Sequence, residues 1–180
     1  MKNSKTKNMV VCALMAAVMC VISPFTIPIG PIPVSLGVLG VLLTAVILGW
    51  KRGTIATAVY LLLGFAGLPV FTGFRGGLAV FVGPTGGYAY SFIIMTFITG
   101  FVSDKLIHRQ PAVRYGGVFA ACAVSALICD TLGTIHYMAV TDTQLKAALI
   151  ACFYPFIPID IAKSAVATLL GLKVRSLLRR

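Results

Sequence analysis

The sequence contains no glutamate, and its four acidic residues are all aspartates in a chain of 180 residues. Only 11% of the residues are charged, whereas an average soluble domain carries about 25%. The absence of glutamate removes the carboxylate used in many acid–base sites, and the motifs G-x-S-x-G and H-E-x-x-H and a Walker A lysine are also missing. These absences argue against an enzyme.

Cysteine and histidine form no metal-binding or redox pattern. The two histidines are not at ligand spacing and no CxxC pair occurs, so we expect neither a metal site nor a disulfide framework. The net charge is +11, but the basic residues cluster at the ends of hydrophobic segments and form no aromatic-interleaved face, which argues against nucleic-acid binding. Five cysteines lie within apolar stretches: Cys12, Cys20, Cys122, Cys129 and Cys152.

Apolar residues are abundant, at 59% of the chain, and the mean hydropathy is +1.00. Runs such as VLLTAVILG are uninterrupted, which indicates helices rather than the alternating strands of a barrel. We therefore predict an all-α integral membrane protein, with residues 1–180 forming a single domain of six transmembrane helices. The predicted helices are Met9–Ile27, Val34–Gly49, Thr54–Leu68, Thr85–Ser103, Val113–Tyr137 and Leu145–Leu172.

Basic residues set the predicted orientation. With six helices, Arg75 and Lys146 fall on one side of the membrane, Lys163 falls within a span, and all the others share the opposite side. The positive-inside rule then places both termini in the cytoplasm. The residues on the cytoplasmic side are Lys2, Lys5, Lys7, Lys51, Arg52, Lys105, Arg109, Arg114, Lys173, Arg175, Arg179 and Arg180.

Two nearly uncharged loops lie on the predicted outer face. One is IPIGPIPVSLG, in which Pro28, Pro31 and Pro33 favour an extended backbone. The other is the glycine-rich GLPVFTGFRGGLAVFVGPTGGY. Apolar loops are costly as free coil in water, so they either fold inward and cap a cavity or form plain compact connectors. Composition leaves both interpretations open.

Asp160 and Lys163 form the most informative charged pair. The spacing DxxK places both side chains on one helix face, and Pro155 and Pro158 are expected to break the helix just before them. A charge inside a membrane needs a partner or a function. The pair is either a structural ion pair or part of a ligand site, because broken helices expose the backbone groups that line such sites in transporters.

Other polar residues in the spans receive simpler interpretations. Asp130 is expected to line the bundle interior or to bind a neighbouring helix, and its spacing from His136 does not favour a relay. His136 is expected near the outer interface. Asp104 and Lys105 are expected to be ordinary boundary charges at the end of the fourth helix.

The sequence resembles the BioY family of biotin-specific S components of energy-coupling-factor transporters. The resemblance is carried by GLPVFTGFRGGLAVFVGPTGGYAYSF, by PFIPIDIAK and by IPIGPIPVSLG. It implies a six-helix fold with a cavity open to the outside, biotin as the transported substrate and no cofactor. It also implies assembly in a prokaryotic plasma membrane with a transmembrane coupling subunit and two ATPase subunits.

The resemblance also implies a set of substrate contacts. Biotin carries two ureido N–H donors, a carbonyl acceptor, an apolar ring and a carboxylate, so Asp160 is the candidate acceptor for the ureido group and Lys163 a complementary contact or a support for Asp160. Arg75 is a candidate partner for the biotin carboxylate, or it binds lipid phosphates instead. The expected loop contacts are Phe71, Phe74, Pro84, Thr85, Gly86, Gly87 and Tyr88.

Ala13 and Ala17 define a second candidate surface, because small residues four apart allow helices to approach closely. The resemblance implies docking of the coupling subunit at this pair, while internal packing is the alternative. It further implies that the loaded subunit reorients in the bilayer and that ATP hydrolysis by the partner resets it. Other possible functions are an S component for thiamine or riboflavin and a membrane scaffold that transports nothing.

Overall fold

The computed structural model describes residues 2–28 and 32–178, with no side chains for residues 2–5. Pro31, Arg179 and Arg180, which enter the sequence predictions, lie outside the described residues, as do the side chains of Lys2 and Lys5. The elements in chain order are α1 (Lys2–Ile22), β1 (Thr26–Ile27), β2 (Val34–Ser35), α2 (Gly37–Phe65), α3 (Leu78–Val82), α4 (Gly86–Leu106), α5 (Pro111–Thr141), α6 (Leu145–Cys152) and α7 (Phe156–Leu178).

The second and third predicted helices are the two arms of a hairpin within α2. Gly49 interrupts the helix with φ 77°, a left-handed conformation that favours glycine. A Cβ on Gly53 would lie 3.4 Å from Cα of Ala45, a contact that residues eight apart cannot make in a straight helix. The chain therefore reverses at Gly49, and the predicted ends at Val34 and Leu68 were wrong because the flanking residues form β2 and a loop.

The helices form one bundle. α4 packs between α2 and α5, α7 packs against α2 and α5, and α1 packs against α2. Together, α1, the two arms of α2, α4, α5 and the interrupted α6–α7 segment make the six crossings of a membrane-protein fold. Many large apolar side chains face outward, such as Leu62, which is 65% exposed. A lipid environment explains this surface.

Hydroxyl pairs join the buried helix faces. The hydroxyls of Thr57 and Thr96 lie 3.0 Å apart between α2 and α4, and those of Thr99 and Ser125 lie 2.7 Å apart between α4 and α5. All four residues are fully buried. Interhelical hydrogen bonds and small side chains are the usual means of helix association where lipid supplies no hydrophobic drive between helices.

The two ends of the bundle differ. The end formed by β1, β2 and the segment between α2 and α4 is called the loop end, and the opposite end, at Gly49, is called the hairpin end. The first and last described turns meet at the hairpin end, where Lys7 Nζ donates a hydrogen bond to the carbonyl of Leu178 at 3.4 Å. An even number of crossings explains why both termini share this end.

A polar network joins four segments at the hairpin end. The buried Arg175 of α7 pairs with Asp104 of α4 and donates to the carbonyl of Val46 at 3.0 Å and to Ser103 Oγ at 2.8 Å. Asp104 also accepts a hydrogen bond from the backbone N–H of Trp50 at 3.0 Å. The interpretation of Asp104 as an ordinary boundary charge was therefore wrong, because it holds the start of the second arm of α2.

Asp104→Asn is expected to destabilise the fold by about 2 kcal/mol, because it removes the negative charge from the Asp104 side chain that pairs with the buried guanidinium of Arg175. Asp104 itself is partly exposed, which moderates the loss. Thermal unfolding of the purified chain in detergent measures the effect. The matched control is Asp142→Asn, since Asp142 is an exposed residue in the left-handed conformation, where asparagine is well tolerated. Equal unfolding midpoints for both variants would contradict this role of Asp104.

Candidate substrate-binding site

A cavity lies beneath the loop end of the bundle. Its wall combines the first loop, the glycine-rich loop and the facing sides of α2, α4, α5 and α7. Of the two interpretations of the loops that the sequence left open, the structure favours folding inward over a cavity. The lining residues are Ile32, Pro33, Val34, Ser35, Val38, Tyr60, Phe71, Thr72, Val80, Thr85, Tyr88, Ala89, Phe92, Asp130, Phe156, Asp160 and Lys163.

Asp160 and Lys163 form a buried ion pair in the cavity wall. Lys163 Nζ lies 2.7 Å from Asp160 Oδ1, as the i, i+3 spacing on α7 predicts, and both side chains are less than a tenth exposed. Lys163 Nζ also donates a hydrogen bond to the backbone carbonyl of Ser35 at 2.9 Å. The lysine therefore joins α7 to the first loop, and the pair presents both charge signs to the cavity.

The break in the last crossing lies where the sequence placed it, with one correction. α6 ends at Cys152 and α7 begins at Phe156, immediately after Pro155. Pro158 does not break the helix, because it occupies the first turn of α7, where a missing N–H costs no hydrogen bond. The break leaves the carbonyl of Cys152 free to accept a hydrogen bond from the Tyr88 hydroxyl at 3.2 Å.

Aromatic side chains form much of the remaining wall. The Tyr88 ring packs 5.9 Å from the ring of Phe156, and the Tyr60 ring packs edge-on against Phe71 at 5.5 Å and lies 6.5 Å from Phe92. Such rings provide apolar surface at low conformational cost. The cavity therefore suits a ligand with an apolar body and a polar group that reaches the ion pair.

Two contacts fix the loops that close the cavity. The N–H of Gly73 donates to the carbonyl of Pro24 at 3.0 Å, which ties the glycine-rich loop to the end of the first loop. The buried Tyr60 hydroxyl donates to the carbonyl of Val70 at 3.2 Å. The roof of the cavity is therefore attached both to the neighbouring loop and to the bundle.

The predicted loop contacts divide into two groups. Phe71, Thr85 and Tyr88 line the cavity. Pro84, Phe74 and Arg75 are exposed, and the Phe74 ring packs edge-on against Phe25 at 5.6 Å rather than into the cavity. The substrate contacts predicted for the exposed group therefore have no counterpart in the described cavity wall and stay predictions.

Gly86 and Gly87 are buried at the start of α4, and their closest neighbours belong to the protein. A Cβ on Gly86 would overlap the carbonyl of Phe81, and one on Gly87 would overlap His136 on α5. His136 Nε2 in turn donates to the carbonyl of Gly83 at 3.0 Å. Close packing of the loop against α5 thus accounts for both glycines, and their predicted contact with substrate stays a prediction.

The sequence interpretation left Asp130 out of the site, although it lies in the cavity wall. Asp130 is 1% exposed and interacts electrostatically with Asp160 and Lys163. Asp130 lies in the cavity wall because α5 packs against α7, and this packing cannot be predicted from the spacing of residues within one helix. Its acidity inside a predicted span was the only signal in the sequence.

The BioY family profile matches residues 1–180. The chain is 36% identical over 173 residues to a protein of Lactococcus lactis subsp. cremoris named biotin transporter BioY2, covering 96% of this chain and 92% of the relative. It is 36% identical over 172 residues to a biotin transporter BioY of Thermotoga maritima, covering 95% and 97% of the two chains.

A solved structure has the same fold. It is a crystal structure of the S-component for biotin from an ECF-type ABC transporter, with 30% sequence identity, a TM-score of 0.90 and coverage of 98% of this chain and 94% of the solved one. Family, sequence relatives and fold agree over nearly the whole length. The chain belongs to the BioY family.

Proposed function

We propose that this protein is a biotin-binding S component that captures biotin in the cavity and delivers it with an ATP-driven coupling module. The observation that carries the proposal is the buried Asp160–Lys163 pair within an aromatic cavity closed by two loops. The relatives named as biotin transporters and the solved biotin S-component supply the identity of the ligand.

The cavity chemistry matches the parts of biotin. The ureido group needs an acceptor for its N–H groups and a donor for its carbonyl, which Asp160 and Lys163 supply. The apolar ring suits the rings of Tyr88 and Phe156. The valeric carboxylate then points toward the mouth of the cavity, where the exposed Arg75 is its proposed partner.

Topology and docking complete the proposal. The hairpin end, which carries the basic residues near both termini, faces the cytoplasm of a prokaryotic cell, and the loop end faces outward. Ala13 and Ala17 are exposed, whereas Ala16 between them is only 2% exposed. This exposure favours docking of a coupling subunit over internal packing at Ala13 and Ala17.

Gly133→Ala tests the assignment of biotin to this cavity. A Cβ on Gly133 of α5 would overlap the Tyr88 ring, so the ring must move into the space proposed for biotin. We expect the affinity for biotin to fall about tenfold, which corresponds to an overpacking cost of roughly 1–2 kcal/mol. Isothermal titration of the purified chain measures the change.

The matched control is Gly116→Ala on the same helix, where an added Cβ meets nothing within 4 Å. This variant is expected to keep the affinity of the unmodified chain, and its helix propensity improves. Equal affinities for all three proteins would show that biotin does not occupy the space beside Tyr88.

A further inference from the structure

Unsatisfied polar atoms gather on the facing sides of α5 and α7. Buried side-chain polar atoms normally have hydrogen-bond partners. Among the described residues seven such atoms lack a hydrogen bond, and six of them lie on these two helices. Apart from Arg114 Nε in the first turn of α5, they form one set on each helix, and the residues of each set are one helical turn apart. These five are Asp130 Oδ1, Asp130 Oδ2, Thr134 Oγ1, Asp160 Oδ1 and Ser164 Oγ.

Asp130 differs from Asp160 in having no cation of its own. Asp160 Oδ1 faces the ammonium of Lys163 at 2.7 Å, although that contact lacks hydrogen-bond geometry. Lys163 also donates to the carbonyl of Ser35. Asp130 faces the carboxyl of Asp160 and interacts electrostatically with it and with Lys163, but no ion pair within the described part of the chain includes Asp130.

A buried acid that faces a second acid is costly, because two like charges repel each other strongly away from water. A leucine or asparagine at this position would avoid the cost if the role of Asp130 were only to pack α5 against α7. Asp130 lines the cavity, so a bound molecule can reach its oxygens. The arrangement is typical of an acceptor that a ligand, rather than the protein, satisfies.

The charge balance of the wall defines the kind of ligand. Two carboxylates, Asp130 and Asp160, share one ammonium, that of Lys163, so the cavity offers more acceptors than donors. A second anion would be repelled at this place, whereas a neutral group with several N–H donors would be held. A cyclic urea, with two N–H donors and one carbonyl acceptor, fits this balance.

We propose that Asp130 is a second ureido-reading residue, whose carboxylate accepts one ureido N–H while Asp160 accepts the other and Lys163 donates to the carbonyl. This proposal rests on biotin being the substrate. Thr134, one turn further along α5, is buried, and its hydroxyl lies near that of Tyr88. Selectivity for the ureido ring is therefore divided between α5 and α7.

The test compares Asp130→Asn with Asp142→Asn, which makes the same chemical change at the exposed end of the same helix. Two quantities are measured on the full purified chain: the affinity for biotin and the unfolding midpoint of the empty protein. We expect Asp130→Asn to lower the affinity about tenfold, since a hydrogen bond to a charged acceptor is stronger than one to a neutral amide.

The unfolding midpoint separates a ligand contact from a structural role. Loss of a buried acid that faces Asp160 should leave the midpoint of empty Asp130→Asn unchanged or higher, while Asp142→Asn keeps both values. An affinity within twofold of the unmodified chain would overturn the proposal. A fall of midpoint and affinity together would overturn it as well, because Asp130 would then be a packing residue.

A ligand methylated on a ureido nitrogen provides the complementary test. The unmodified chain should prefer biotin to this analogue by a larger factor than Asp130→Asn does, because the variant has already lost one of the charged acceptors. Equal preferences in the two proteins would overturn the proposal while leaving biotin as the substrate. Failure of the unmodified chain to bind biotin at all would instead overturn the proposed function and, with it, this assignment.

Discussion

Asp160→Asn is expected to lower the affinity for biotin at least 100-fold. The variant removes a charged acceptor from the cavity and the carboxylate that directly contacts the buried ammonium of Lys163. Hydrogen bonds to charged groups are worth about 1.5–3 kcal/mol each, and removing the direct partner of a buried charge adds to the loss. Equilibrium binding to the purified chain measures the change, and Asp142→Asn again serves as the control.

The double variant Asp160→Asn with Lys163→Met distinguishes a structural pair from a substrate-binding pair. Removing both charges together also removes the ammonium that has lost its direct partner, so the unfolding midpoint should recover relative to Asp160→Asn alone. Biotin affinity should not recover, because two of the three proposed polar contacts to the ureido group are gone. Recovery of affinity in the double variant would show that the pair only supports the fold.

Replacing Ala13 and Ala17 together with tryptophan is expected to abolish co-purification with the coupling subunit. Two indole side chains on one exposed helix face would prevent the close approach that small residues allow. Both alanines are exposed and neither lines the cavity, so biotin affinity should stay within twofold of the unmodified value. Affinity capture of a tagged chain, made together with a coupling module, measures the association.

Val124→Trp is the matched control, because Val124 is a 52% exposed residue on α5, away from the alanine pair. It should leave co-purification intact. Retained association in the double alanine variant would contradict docking at this face. Loss of biotin binding together with association would mean that Ala13 and Ala17 maintain the bundle itself.

The sequence predicted those features that depend on local spacing. The Asp160–Lys163 contact follows from the i, i+3 spacing of the two residues on an α-helix, and the break before α7 follows from Pro155. Six crossings follow from the length of the apolar runs. These features need no knowledge of how one helix packs against another.

Helix ends were predicted less well, for a physical reason. α1 begins at Lys2 rather than Met9, α5 extends to Thr141 rather than Tyr137, and α7 reaches Leu178 rather than Leu172. Hydropathy reports the part of a helix that lies in lipid, whereas backbone hydrogen bonds continue into the polar boundary. At the other end of α1 the chain leaves the helix at Ile22 rather than at Ile27, because Thr26 and Ile27 form β1, which pairs with β2.

Contacts between residues that lie far apart in the chain could not be predicted from the sequence. Asp104 became a structural residue because α7 brings Arg175 to it, and Asp130 became a cavity residue because α5 packs on α7. The sequence suggested that Gly86 and Gly87 bring the backbone close to the ligand, but their closest neighbours are Phe81 and His136. In each case the deciding neighbour lies on another element of the bundle.

Equilibrium binding of biotin to the detergent-purified chain, beside thiamine and riboflavin, tests the central claim most directly. The account predicts saturable binding of biotin alone at one site per chain. Thiamine is cationic, and riboflavin is a larger three-ring system with one ring N–H donor in place of the two ureido N–H groups of biotin, so neither should compete. Binding of thiamine or riboflavin in preference to biotin, or no binding of biotin, would contradict the assignment of this cavity to biotin.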